Sequence, residues 1–168
     1  VLAEEGVVLN WPTLNRKMGW WAEAKGYEPN KDYEVQRQEI IDYFMEAKSY
    51  SGVTHEKKNL RFESLREVVN GKRKLYIQVQ HIKEILHAIE FAEQFGIQIT
   101  LLGAADCYQI ADILAQKKIS VILGRTHELP NYADEDVHQP YKTPAILQRA
   151  GVLFAISNEG FWQVRNLP

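Results

Sequence analysis

From Leu75 onward the chain alternates short apolar runs with helical periodicity at a constant interval, and this limits its fold more than any other feature. Residues 75–79, 97–102 and 119–123 have strand character, and their starts lie 22 and 22 residues apart. Between them, Ile82, Ile85, Leu86 and Ile89 recur at helical spacing before Gly96, and Cys107, Ile110, Ala111 and Leu114 mark one face of a second helix. A long polar connection follows. Pro144 then stands near the start of a short helix, Gly151 lies just past its end, and residues 152–156 read as a fourth strand. A unit of about 22 residues suits a strand plus a crossover helix, so the pattern predicts an α/β fold with a parallel sheet, its strands buried on both faces.

The first 73 residues are richer in Trp, Tyr and charge. Val7-Val8-Leu9 predicts a strand that ends at Asn10-Trp11-Pro12. Asp32 is placed to cap a helix whose inner face carries Tyr33, Arg37, Ile40, Ile41 and Phe44, with Arg37 at the rim. Phe62, Leu65, Val68 and Val69 mark another helix, closed by the polar stretch Asn70-Gly71-Lys72-Arg73. Residues 12–30 read as an irregular loop around Gly19-Trp20-Trp21, a pair of aromatics better explained by packing than by a ligand. The expectation is one domain over residues 1–168, with 1–73 forming a strand, an aromatic loop and helices, and 74–168 forming the regular βα units.

Composition removes several functional classes. With 20 Lys and Arg against 22 Asp and Glu, the net charge of −2 gives no footprint for nucleic acid or an anionic membrane. No apolar run approaches the ~18 residues needed to cross a bilayer. A single cysteine, Cys107, forbids an intramolecular disulfide and any Cys-rich zinc module. Val1–Glu5 shows no basic segment followed by an apolar core, so no secretory signal is expected, and the missing initiator Met leaves room for a processed or trimmed piece of something longer. The expectation is a soluble protein, cytoplasmic or periplasmic.

Few residues offer chemistry. The five histidines include no H-x-H and no H-E-x-x-H. His81 and His87 are six apart, about 240° around a helix, so they cannot share a metal. His81 lies just past a strand end, where parallel α/β proteins bind ligands, but helix capping explains it as well. Residues 124–142 hold His127, Glu128, Asp134, Glu135, Asp136 and His138, a set able to bind a divalent ion or simply to be solvated. Arg125 and His127 stand at the rim where a barrel builds its site. Gly103-Ala104-Ala105-Asp106 lacks a phosphate-loop pattern and reads as a turn with Asp106 as a helix cap. Cys107 on an apolar face reads as a buried thiol rather than a nucleophile. Glu159 is a candidate acid or base if desolvated, whereas Asn158 can only position a group by hydrogen bonds.

Val121-Ile122-Leu123-Gly124-Arg125-Thr126-His127-Glu128-Leu129-Pro130 resembles the seventh-strand segment of imidazolonepropionase-like amidohydrolases. Pro140-Tyr141-Lys142-Thr143-Pro144-Ala145-Ile146-Leu147 and Ala150-Gly151-Val152 resemble the helix that follows. Ala155-Ile156-Ser157-Asn158-Glu159-Gly160 and Arg165-Asn166-Leu167-Pro168 resemble the eighth-strand region, and Lys72-Arg73-Lys74-Leu75-Tyr76-Ile77-Gln78 the entry into the fifth.

The resemblance implies a (β/α)₈ barrel and metal-dependent hydrolysis of C–N bonds in small cyclic amides, with zinc or another divalent metal held by histidines and carboxylates at strand ends. This sequence departs from that pattern. Gln78 stands at the expected fifth-strand histidine, no sixth-strand histidine appears around Leu102-Gly103-Ala104, and Asn158 stands near the expected eighth-strand aspartate. An amide is a weaker donor than imidazole, glycine supplies no side chain, and asparagine can neither balance a cation nor take a proton from metal-bound water. A barrel also needs about 250 residues, so about five strands make a partial TIM (β/α)₈ barrel.

The expectation is therefore an amidohydrolase-like barrel segment with a degenerate metal site, non-catalytic as this chain, with no metal and no cofactor. Gln78, His81, Arg125, His127, Asn158 and Arg165 are the ligand-binding candidates, and Glu159 and His127 the catalytic ones. Expected partners are a small-molecule ligand and either further copies of the chain or the remainder of a longer barrel, with no nucleic acid and no membrane. Two alternatives stay open: a hydrolase with an unconventional site built from His81, His127, Glu159 or the acidic loop, and an open, flavodoxin-like α/β module that binds a small molecule.

Overall fold

A computed structural model describes residues 6–17, 27–53, 58–130, 132 and 134–157. The expected elements Gly19-Trp20-Trp21, Asn158, Glu159 and Arg165 lie outside them. The elements run β1 (Gly6–Asn10), β2 (Asn15–Lys17), β3 (Tyr27–Pro29), α1 (Tyr33–Ser51), α2 (Leu60–Val69), β4 (Lys74–Val79), α3 (Ile82–Phe95), β5 (Ile99–Gly103), a 3₁₀ helix (Ala105–Ile110), α4 (Ala111–Gln116), β6 (Ser120–Leu123), α5 (Gln139–Ala150) and β7 (Phe154–Ile156).

Five strands form one parallel sheet in the order β1-β4-β5-β6-β7. Each new strand joins on the same side of the last, with no reversal. That order is the arc of a barrel segment; a doubly wound open module would reverse direction at a switch point, so the flavodoxin-like alternative is set aside. The sheet is not closed: among the described residues β1 and β7 are its two edges. Right-handed crossovers that always advance the same way put their helices on one face.

The expectation of strands buried on both faces holds in β5, where Ile99, Thr100 and Leu101 are all buried, and is corrected at β1 and β4. In β4, Leu75, Ile77 and Val79 are buried, while Lys74 and Gln78 are exposed and Tyr76 is half-buried. The buried set joins Leu101, Val121 and Leu123 under Ile85, Phe91, Leu114 and Leu147 of the helices. The other face is open at β1, where Val8 is 59% exposed, and closes toward β5, where Thr100 is 5% exposed.

α3 has the clearest start and stop. Glu84, three residues past His81, accepts hydrogen bonds from the amides of Gln80 (2.9 Å) and His81 (3.2 Å), which satisfies donors the helix itself cannot pair. Gly96 ends it at φ 68°, a left-handed conformation that glycine adopts without steric cost. Its inner face carries an aromatic cluster. Phe91 meets Phe44 of α1 edge-on at 4.9 Å, Trp11 at 5.4 Å and Phe95 at 5.0 Å.

Three further expectations change. Residues 12–30 are not wholly irregular, because Asn15–Lys17 pairs antiparallel with Tyr27–Pro29; short strands of polar residues carry no periodic signal. Cys107 lies in the 3₁₀ helix rather than an α-helix, although it is fully buried as expected. The helix before Gly151 begins at Gln139, with Pro140 in its first turn, so Pro144 sits inside it.

Candidate functional site

Parallel strands that end together leave a depression at their carboxyl ends, and this sheet has one of about 270 Å³ above β4 to β7. Register brings Asn10, Gln78, Leu102, Ile122 and Ala155 side by side across the open face. Of these, Gln78, Leu102 and Ile122 line the cleft. Gly103 closes its floor at φ 80°. A Cβ there would lie 2.6 Å from Gln80 Nε2 and 3.0 Å from the Val79 carbonyl oxygen, so only glycine lets the two strand ends approach so closely.

The far wall comes from the connection between β6 and α5 and from the first turns of α5. Arg125 lines the cleft and pairs with Glu128 at 2.9 Å, so its charge is largely balanced in place. Thr143, 4% exposed, donates to the Gln139 carbonyl oxygen at 3.0 Å, which sets Gln139 at the rim. Ser157 completes the wall, its amide bound to the Leu123 carbonyl oxygen at 2.8 Å. The donors and acceptors are amides and hydroxyls, with one cation beside carboxylates. Such a lining orients a small polar molecule and is not an anion trap.

Beside this cleft lies a second polar cluster. Asp106 has no solvent exposure, and its Oδ2 accepts from the Ile82 amide at 3.0 Å and from the Tyr132 hydroxyl at 2.7 Å. Since that hydroxyl proton is committed to Asp106, the His81 Nδ1 at 3.0 Å must donate to Tyr132 Oη. His81 Nδ1 is also 3.8 Å from Asp106 Oδ2, an ion-pair distance rather than a hydrogen bond. Burial works to raise the Asp106 pKa, but His81, Tyr132 and the Ile82 amide outweigh it and hold the carboxyl below its ordinary value. Asp106 in turn raises His81, against the opposing effect of burial. Asp106 does serve a helix end, but that of α3, which comes earlier in the chain, and not the helix that follows it.

The predicted residues divide between these places. Gln78 and Arg125 line the cleft. His81 is at the α3 N-cap, in the Asp106–Tyr132 cluster. His127 is held away by Tyr141 of α5, whose Oη is 2.8 Å from its Nδ1. Among the described residues no three His, Cys, Asp or Glu side chains group closely enough to hold a metal ion. Cys107 has its thiol pushed up to about 12, chiefly by burial, so it is protonated and unreactive at neutral pH.

Sequence reasoning passed over Glu84, Tyr132, Gln80 and Thr143. The spacing of His81 and Glu84 is that of a capping box and was a usable signal for Glu84. Tyr132 carried none, because its partners are 26 and 51 residues away.

No protein-family model matches the chain, and no curated protein matches it in sequence. Among solved structures, an amidohydrolase from Thermotoga maritima MSB8 superposes on 90% of the chain with a TM-score of 0.70. The chain has an amidohydrolase-like fold. Sequence identity to that structure is 23%, and the match spans 41% of its length, so the likeness is one of architecture: an α/β, partial TIM-barrel-like sheet. No helix among the described residues is long and apolar enough to cross a membrane.

Proposed function

We propose that this chain is an amidohydrolase-like barrel segment, of the imidazolonepropionase-like kind, whose strand-end cleft binds a small polar molecule without metal-dependent hydrolysis. The observation that carries this reading is the composition of the cleft where it meets the strand ends. Gln78 projects from β4, Gly103 ends β5 with no side chain, and Ser157 follows β7. An amide and a hydroxyl are poor ligands for a divalent cation, and the carboxylates on the far wall, Glu128 and Glu135, are engaged by Arg125 and Tyr108, so this donor set does not fit a zinc-type ion. The same groups suit a ligand with both donors and acceptors along one edge, as in a cyclic amide.

The open sheet face supports a further part of the reading. Parallel sheets are mostly covered on both sides in folded proteins, and this one has an inner face open at β1 and β4 and two edges among the described residues. Additional βα units of a longer barrel chain, or another copy of this one, would cover it.

Elemental analysis of protein produced with added zinc, together with assays of cyclic-amide hydrolysis, tests the metal-free reading; stoichiometric zinc with robust turnover overturns it. Binding is tested by titrating cyclic amides while the side-chain amide signals are followed by NMR. Gln78 is expected to shift, and Gln78→Ala to weaken binding about fivefold to tenfold, as for loss of one net hydrogen bond of roughly 1 kcal/mol.

A further inference from the structure

The connection between β6 and α5 lines the cleft through Arg125, Thr126, Glu128, Leu129 and Glu135. It is long and polar, and none of its described residues is buried, with Leu129 83% exposed. Long loops of this kind in compact domains commonly gate a site. Asp136 of this connection pairs with Lys142 of α5. Glu135 accepts from Tyr108 at 3.0 Å, His127 meets Tyr141, and Tyr132 reaches inward to Asp106 and His81. The Tyr132 tie is the one that ends on a fully buried carboxylate, and it lies between two cleft-lining positions.

We propose that Tyr132 is a latch that holds this connection against the strand-end cleft, with Asp106 and His81 as its catch. The proposal gives a regulation for the cleft and so rests on the cleft being a binding site. The latch itself is a property of the unliganded chain.

The geometry explains why the catch responds to protonation. Asp106 Oδ1 is buried and has no partner among the described residues, so the carboxylate is compensated through Oδ2 and the nearby imidazole. The groups that face the cluster are Glu84 of α3, turned toward His81, with Tyr108 of the 3₁₀ helix and Glu135 of the connection turned toward Tyr132. All are acidic or phenolic, so His81 supplies the positive charge when protonated.

Its pKa is raised above the ordinary 6.5, so the stabilisation is complete below that value and is lost as pH rises through the folded-state pKa. Asp106 is lowered from 3.8, so its contribution is complete above that value and is lost only as pH falls below it. The latch is therefore tight between these limits and slackens toward alkaline pH.

Amide hydrogen exchange of the full chain, corrected for intrinsic rates and compared at about pH 5.5 and about pH 9, reads the latch directly. In the unaltered protein, peptides covering residues 124–138 are expected to exchange several-fold faster at the higher pH, while peptides of β4 and β5 do not change. Tyr132→Phe removes only the hydroxyl and is expected to exchange roughly tenfold faster over residues 124–138 at the lower pH, the scale set by a hydrogen bond to a charged group. His81→Gln keeps a donor but cannot titrate, and is expected to abolish the pH dependence without unfolding the chain. Unchanged protection in Tyr132→Phe overturns the latch, and pH dependence that survives in His81→Gln overturns the catch. Because no ligand is needed, a cleft that binds nothing would count against the binding reading and leave these outcomes intact.

Discussion

Glu84 does more for the region below the cleft than its position on the surface of a helical wheel suggests. It is 1% exposed, and besides the two amides at the start of α3 it accepts from the Leu14 amide at 2.8 Å. One carboxylate thus satisfies three backbone donors and ties the chain after β1 to α3. Glu84→Ala leaves those amides without their acceptor and is expected to cost about 3 kcal/mol in urea denaturation. Gly103 presents a steric argument at the same scale. Gly103→Ala must hold an L side chain at φ 80° against the Val79 carbonyl oxygen, with an expected loss of about 1–2 kcal/mol measured in the same way. Gly103 was visible in the sequence as a turn residue. The three-way role of Glu84 was not, because Leu14 is 70 residues distant.

Among the elements, α1 and α3 are tied together by a series of side-chain contacts. Tyr33 at the start of α1 receives a hydrogen bond from Trp11 Nε1 at 3.2 Å and shares one of 2.9 Å with His87 Nδ1 of α3. Arg37, expected at the rim, bridges Glu34 at 3.0 Å and Glu90 of α3 at 3.7 Å. Farther along, Phe44, Phe91 and Phe95 interlock. Phe91→Ala removes the ring that the others surround and is expected to cost about 3–5 kcal/mol, with α1 and α3 losing exchange protection together. Asp32, at the α1 N-cap, makes no side-chain capping bond, and the Asn30 side chain accepts from its amide instead. Start signals in sequence therefore located α1 correctly while assigning the bond to a neighbouring residue.

For the whole molecule, the consequence of an open barrel segment is association. β1 pairs only with β4 among the described strands, and a groove of about 640 Å³ runs beside it between the strand and helices α1 and α2. An unpaired parallel edge next to apolar surface favours pairing with another chain. The 168-residue chain by itself is expected to show concentration-dependent self-association in sedimentation velocity. Val8→Lys, which places a charge on the open face, is expected to shift it toward monomer with little change in the helix-side core.

The sequence by itself determined the parts that depend on neighbours along the chain. The 22-residue repeat is a local matter of apolar spacing, and it located β4, β5 and β6 and the helices between them. Helix ends at Gly96 and Gly151 and the buried Cys107 were likewise readable from adjacent residues. Tertiary structure alone decided the rest. Sheet order separates a barrel arc from a doubly wound sheet, and it arises from crossover direction, which no spacing encodes. How far burial reaches the second face, complete at Thr100 and absent at Val8, depends on what else covers the sheet. Gln78 and Arg125 share a cleft, while His81 joins Asp106 and Tyr132, because strand ends and a long connection converge only in space. Hydrogen bonds and buried charge act over a few ångströms, however many residues of chain lie between the partners.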